Sequence, residues 1–234
     1  MKTIGVLGGI GPQATMDFET RVHRVAQRLI PPSRNAGYPP MVVHYCRHPP
    51  VLLTDESTPQ QPLRPDPRLL EAARILGSLA DFLVITSNGV HKLQAEIEQA
   101  AGRKALSMVE ATLKEVRHRH WKRVGVLALG EPLIYSAPLR QLGIACEAVD
   151  VRTRDALDGA ILRVMEGRDD AESVAIARSA VAALRSRRVD GVILGCTEIP
   201  FLLRDDDADA NLINPLQLLA EAAVRFASME ADPA

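Results

Sequence analysis

The sequence predicts an α/β protein built from two similar halves, and three observations carry that prediction. Short apolar runs with β-branched members, the pattern of buried parallel strands, recur along the chain and stop at small polar residues ahead of helix-like segments. One run returns with its glycine in place, as Ile4-Gly5-Val6-Leu7 and again as Val124-Gly125-Val126-Leu127. Another returns with its leading acid, as Ala80-Asp81-Phe82-Leu83-Val84-Ile85 and as Val189-Asp190-Gly191-Val192-Ile193-Leu194. Repetition of both runs in the same order is the mark of an internal duplication.

Taken in order, Thr3 to Leu7 is the first expected strand. Three glycines, Gly8, Gly9 and Gly11, allow a tight turn after it, and Pro12 suits the first turn of a helix reaching about Ile30. Such a helix start can hold an anion on its free N–H groups. Gly9, Gly11 and Ala14 also match the loosened dinucleotide pattern G-x-G-x-x-A. However, the second strand, Met41 to Tyr45, ends in Cys46-Arg47-His48 where a ribose-binding acid belongs, which argues against a nicotinamide cofactor. Pro49 to Pro67 lacks periodicity and reads as a long loop, either a lid or a plain surface excursion.

A helix from about Arg68 to Leu79 then feeds the strand Asp81 to Ile85. That strand stops at Thr86-Ser87-Asn88-Gly89-Val90-His91-Lys92, where Ser87 or Asn88 is placed to cap a following helix. Lys104 to Met108 is expected as a short strand and Val109 to Arg119 as a helix. Its basic end, Arg117-His118-Arg119-His120, suits the negative pole of the helix dipole. The second half restarts at Arg123. It continues with a helix from about Pro132 to Leu142, a strand near Ala145 to Val149, and helices near Asp155 to Glu166 and Ala171 to Arg187. Asp205, Asp206, Asp207 and Asp209 are read as solvated loop charge in preference to a metal site. Leu212-Ile213-Asn214-Pro215 is read as the start of a final helix that packs on the first half.

Composition narrows the classes of function. With 234 residues, 47% of them hydrophobic, the chain can form a core in one or two domains. A net charge of −1 gives no basic surface for nucleic acid or membrane. Cys46, Cys146 and Cys196 have no paired spacing, which argues against a disulfide framework or a zinc site and fits a reducing cytoplasm. No signal peptide and no run of transmembrane length is expected.

The candidate for chemistry is Cys196, in Asp190-Gly191-Val192-Ile193-Leu194-Gly195-Cys196-Thr197-Glu198-Ile199-Pro200. It falls where a strand gives way to a helix, the edge at which open α/β sheets bind ligands. Helix N–H groups there are expected to favour a thiolate and lower the pKa from about 8.5. The alternative is a small buried cysteine filling a turn.

Three stretches together resemble the aspartate/glutamate racemases, within the Asp/Glu/hydantoin racemase superfamily, over nearly the whole chain. They are the opening I-G-V-L-G-G-I-G-P-Q-A-T, the first-half turn T-S-N-G-V-H-K and the second-half G-C-T-E-I-P. The resemblance implies two Rossmann-like parallel-sheet lobes related by a pseudo-twofold, with the active site in the cleft between them. The expected lobes are residues 1–115 plus 214–234, and 116–213. It also implies a PLP-independent racemase or epimerase that needs no metal or other cofactor, acts on an acidic amino acid and forms a homodimer. In such enzymes two cysteines flank the substrate α-carbon, one removing the proton and the other returning it on the opposite face. Inversion needs an acid and a base on opposite sides of one carbon, which a duplicated fold can supply.

The resemblance assigns Cys196 and Ser87 as the catalytic pair. It assigns substrate contacts to Gly9, Ile10, Gly11, Gln13, Arg47, Asn88, Gly89, Thr197 and Glu198. The chain departs from the family pattern where Ser87 stands in the first cysteine's place; some relatives carry threonine there and act preferentially from the L side. It departs again at Leu129 and Pro132, where the family commonly has carboxylate-binding threonines, and Arg47 is the substitute contact. An arginine often found after the second strand has no clear equivalent in Val51-Leu52-Leu53. A single competent thiol also leaves open a decarboxylase of the same superfamily, or a binder of acidic amino acids without catalysis.

Overall fold

The structure is a computed structural model and describes residues 1–31, 37–55, 58–168, 170–203 and 209–229. The chain divides into two compact units, Met1–Met108 with Leu216–Ala234, and Val109–Pro215. The first boundary thus falls at residue 108 and not near 115.

The first unit holds strands β1 (Ile4–Gly8), β2 (Met41–Tyr45), β3 (Phe82–Ile85) and β4 (Ala105–Leu106) in a parallel sheet of order β2-β1-β3-β4. Its helices are α1 (Pro12–Leu29), α2 (Pro67–Leu79) and α3 (Gln94–Ala101), and the last helix, α9 (Pro215–Ser228), joins its core. The two-residue strand period sorts the side chains. Ile4, Val6, Phe82 and Val84 pack with Phe18, Val22 and Val25 of α1 and with Leu216, Leu219 and Ala223 of α9. Leu7, Leu83 and Ile85 face the other way, onto Leu69, Ala73 and Leu76 of α2 and Ile97 of α3. Each such aliphatic side chain, fully buried, contributes roughly 1.5–3 kcal/mol.

The second unit repeats this plan. Strands β5 (Arg123–Leu127), β6 (Ala145–Glu147), β7 (Gly191–Leu194) and β8 (Leu212–Ile213) form a parallel sheet of order β6-β5-β7-β8, the first sheet's order renumbered. The helices here are α4 (Met108–His118), α5 (Leu133–Gln141), α6 (Val151–Met165), α7 (Ala171–Arg185) and the single turn α8 (Ile199–Leu202). Leu127, Val192 and Leu194 pack against Leu157 and Ile161 of α6 and Ala177, Ala180 and Leu184 of α7.

Both repeated sequence features have a structural reason. Gly5 has no room for a side chain, because a Cβ there would stand 2.9 Å from Ala80 Cβ, just past α2. Gly125 is in the same position, since its Cβ would stand 2.8 Å from Leu184 Cδ1 of α7. In each sheet a glycine lets the helix preceding the third strand close onto the first. The repeated acids tie those same strands together at their starts. Asp81 Oδ2 accepts from the Thr3 N–H at 2.6 Å, and Asp190 Oδ2 accepts from Lys122 and Arg123 N–H at 2.6 and 2.8 Å.

Three expectations need correction or fall elsewhere. Leu212-Ile213 is not the start of the last helix but the edge strand β8, and α9 starts at Pro215. Two residues are too few to show a period, so only pairing with β7 reveals the strand. The segment after β3 enters a tight 3-10 turn, Gly89–Leu93, before α3; Asn88 precedes that turn in helical geometry and its side chain makes no capping bond. Asp205, Asp206 and Asp207 lie outside the described residues, whereas Asp209 pairs with Arg185 and accepts from the Asn211 N–H. The Pro49 to Pro67 excursion folds back on itself through antiparallel bridges Val51–Pro65 and Leu53–Pro59. Among the described residues no helix is long and apolar enough to cross a membrane.

Candidate active site

In the first unit the predicted residues gather at the carboxyl edge of β1, β2 and β3. Gly9 adopts φ +76°, and a Cβ there would stand 2.5 Å from Tyr45 Cα, so only glycine lets the turn cross the end of β2. The Gly9 carbonyl accepts from Arg47 Nη1 at 2.6 Å, which fixes this arginine over the same turn. A threonine pair that sequence reading did not single out joins the turns beneath. Thr15 Oγ1 accepts from the Gly9 N–H at 2.8 Å and lies 2.9 Å from Thr86 Oγ1, one residue before Ser87. Ile10, Gln13 and Ser87 are half-buried, Gly11 and Asn88 are buried, and Gly89 and Arg47 are exposed.

His91 holds the Ser87 turn from behind. The Met108 N–H donates to His91 Nε2 at 3.0 Å, so Nδ1 carries the ring hydrogen and donates to the Ser87 carbonyl at 2.8 Å. Burial pushes the imidazole pKa down, which keeps the ring neutral. With both nitrogens engaged by the backbone, His91 positions Ser87 and has no nitrogen left to accept a proton for it.

In the second unit the candidates lie at the carboxyl edge of β5 and β7. The Gly195 N–H donates to the Leu127 carbonyl at 2.6 Å, which pins the end of β7 against β5 and delivers Cys196 to the edge. Gly130, at φ +66°, closes the opposite turn and donates its N–H to Asp158 Oδ1 at 2.9 Å. Cys196 is 8% exposed, and its Sγ donates to Glu198 Oε2 at 3.0 Å. The same oxygen accepts from Thr197 Oγ1 at 2.9 Å. Glu198 is 2% exposed, and its carboxylate therefore lies against the thiol and the hydroxyl.

The expected lowering of the Cys196 pKa is reversed here. Burial pushes the thiol well up, and the charge and hydrogen bond of Glu198 push it further, against a smaller stabilisation by backbone N–H groups of Glu198 and Leu129. The helix proposed to favour a thiolate is only the four-residue turn α8, so little dipole acts on the sulfur. The other thiols are also raised, mainly by burial: Cys46, 1% exposed, to about 11, and Cys146, in β6 and more open, upward as well. In the segment after β5, Pro132 is buried, while Leu129 and Leu133 are 44% and 56% exposed. Among the described residues no three His, Cys, Asp or Glu side chains converge as metal ligands.

Known proteins share both the sequence and the fold. The family model for Asp/Glu/hydantoin racemase matches residues 7–223. The broad specificity amino-acid racemase RacX of Bacillus subtilis (strain 168) is 28% identical over 233 residues, covering 94% of this chain and 96% of that protein. An aspartate racemase homologue from Pyrococcus horikoshii superposes with a TM-score of 0.75 at 19% identity, over 97% of this chain and all of the other. The aspartate racemase of Picrophilus torridus gives 0.74 at 19% identity, over 97% and 94%. At such identity the two structures bear on the fold, two parallel four-stranded sheets with helices, and the family match bears on descent: the chain belongs to the Asp/Glu/hydantoin racemase family.

Proposed function

We propose that this protein is a cofactor-independent amino-acid racemase that inverts the substrate α-carbon by proton transfer, with Cys196 serving one face and Ser87 the other. The observation that carries this reading is the duplication. The third strand of each sheet, β3 and β7, runs into a turn bearing a proton-carrying side chain, Ser87 in one unit and Cys196 in the other. In one direction the Cys196 thiolate removes the α-proton and becomes a thiol, leaving a carbanion stabilised by its carboxylate. The Ser87 side donates a proton to the opposite face and recovers one from solvent. In the other direction the roles reverse. The exposed guanidinium of Arg47, held over the Gly9 turn, supplies donors suited to the substrate carboxylate.

The substrate class follows first from the resemblance, which points to aspartate or glutamate. A second reading, neutral side chains, is favoured by the exposed Leu129 and Leu133, apolar residues at the edge that bears Cys196. The broad-specificity relative agrees with it. Solvent-deuterium incorporation at the α-carbon, followed by NMR for both enantiomers of aspartate, glutamate, leucine and methionine, tests both readings. Exchange with conversion between enantiomers is the expected result, and an absence of exchange with a broadened amino-acid panel removes the racemase reading.

A further inference from the structure

We propose that the second unit carries a binding site for a small oligophosphate anion, in the cavity formed by α4, Trp121 and the approach to β6. The cavity measures about 970 Å³, within the range of roughly 300–1,000 Å³ found for small-ligand sites. Glu110, Leu113, Lys114 and Arg117 line it at spacings of three and four, so they share one face of α4. His118 ends that helix, and His120 and Lys122 continue the lining beyond it. Three fixed cations and two imidazoles thus surround the space, and among the described residues lining it Glu110 is the one carboxylate. All five basic side chains are exposed, and among the described residues none of them forms an ion pair. Carboxylates near them in the sequence and the sheet are taken by other arginines, Glu115 by Arg119 and Glu147 by Arg123 and Arg187. The helix dipole accounts for Arg117 and His118 in the last turn. It does not account for Lys114, one turn earlier, or for Lys122, past the helix end.

The rest of the lining is held in place. The Trp121 ring lies directly on the start of β7: a Cβ at Gly191 would stand 2.1 Å from Trp121 Cη2, so glycine makes room for the indole. Arg119, paired with Glu115 at 2.6 Å, stands 5.0 Å from the centroid of the same ring. The Trp121 N–H closes the helix end by donating to the Val116 carbonyl at 3.2 Å. His120 takes φ +56° just before it, where glycine is the usual residue, and so gives the rim a side chain that glycine would not. Leu113, Leu142 and Ile144 add an apolar wall, and walls of low dielectric strengthen the field of cations gathered on one cleft. Guanidinium, ammonium and imidazole N–H groups all donate to phosphate oxygens. A chain of linked phosphates carries several charges along its length, which matches cations spread from Lys114 to Lys122. The cavity lies at the starts of β5 and β7, whereas Cys196 follows the end of β7, so the site stands independently of the racemase reading.

Trp121 is the chain's single tryptophan, so its fluorescence reports on this cavity. Binding to the full chain is measured by equilibrium dialysis at fixed ionic strength, with inorganic tripolyphosphate, ATP and adenosine as probes. Trp121 fluorescence is followed through the tripolyphosphate titration. The expected result is saturable retention of tripolyphosphate with a saturable fluorescence change, and no retention of adenosine. ATP binding tighter than tripolyphosphate assigns a nucleotide and equal affinities assign an inorganic chain; either upholds the site. Lys114→Gln and Arg117→Gln should each weaken retention by about 10-fold. Arg152→Gln, which removes an exposed cation of α6 outside the cavity, should leave it unchanged. The substituted side chains are exposed, so the variants are expected to fold, and circular dichroism checks that they do. No retention of either phosphate probe overturns the site. Retention that both cavity variants leave intact places the anion elsewhere and overturns it as well. Adenosine retained as strongly as ATP marks recognition of the base and overturns the oligophosphate assignment.

Discussion

The turns after β3 and β7 occupy equivalent places in two sheets of the same strand order, yet their chemistry differs in kind. Ser87 is half-buried, and the imidazole bonded to its carbonyl, His91, has both nitrogens committed to backbone partners. Cys196 is buried and has a carboxylate in direct contact. Duplication has thus preserved where a side chain stands and not what supports it. The first turn carries a weakly acidic hydroxyl on a backbone tied to His91, whereas the second carries a buried thiol that donates to a carboxylate. A racemase built this way is expected to work faster from one enantiomer than from the other.

The largest effect should come from removing the better-equipped side. Cys196→Ser is expected to lower exchange from the fast enantiomer by on the order of 10³-fold, read by deuterium incorporation. That enantiomer should be L, by resemblance to the threonine-bearing relatives. The converse change, Ser87→Cys, should raise the slow direction by about 10-fold or more and bring the two rates together. The ratio of enantiomers at equilibrium stays at unity in every variant, because a catalyst cannot move it. Equal rates from both enantiomers in the unmodified protein would contradict the asymmetry.

His91→Gln probes that backbone tie. A glutamine cannot satisfy the Ser87 carbonyl and the Met108 N–H with the same geometry, so a loss of about 1–3 kcal/mol in unfolding free energy is expected. The pH dependence has a definite sign. The folded imidazole has a lowered pKa, so between that value and the unfolded value of about 6.5 the unfolded chain binds more protons. Stability contributed by neutral His91 is present above pH 6.5 and lost as pH falls through the folded pKa. Unfolding titrations should show this acid slope flatten in His91→Gln.

The smallest effect compares the two repeated acids. Asp190→Asn should destabilise by about 1 kcal/mol, and Asp81→Asn by less, because Asp190 accepts two backbone N–H groups and Asp81 one. Those N–H groups hold the Asp190 carboxyl below its ordinary range, so its contribution is present above about pH 3.9 and lost as pH falls through the lowered value. Denaturant midpoints of the two variants check the ranking, and equal losses would dissociate the effect from the bond count.

Much of this molecule was legible in its residues because local rules governed it. The apolar runs became β1, β3, β5 and β7, the repeated glycines and acids turned out to serve the same packing and tethering roles in each sheet, and Pro12 opened α1. Ser87 and Cys196 reached strand-end turns because a strand ending in small polar residues before a helix has few other ways to continue. The corrections arose where one residue's state depends on distant ones. β8 exists only through pairing with β7, and the turn at Gly89–Leu93 replaces the cap expected from Ser87 or Asn88.

The pattern of apolar runs, glycines and turns therefore determined an α/β duplication and the positions of two proton-bearing side chains, since periodicity and backbone sterics act between neighbours in the chain. Tertiary structure decided the protonation chemistry of those side chains. Burial and the adjacent Glu198 carboxylate raise the Cys196 thiol where a helix terminus was expected to lower it, and the amide of Met108 commits the second nitrogen of His91. Desolvation and charge act through space and grow as water is excluded, so they are set by what the folded core brings together.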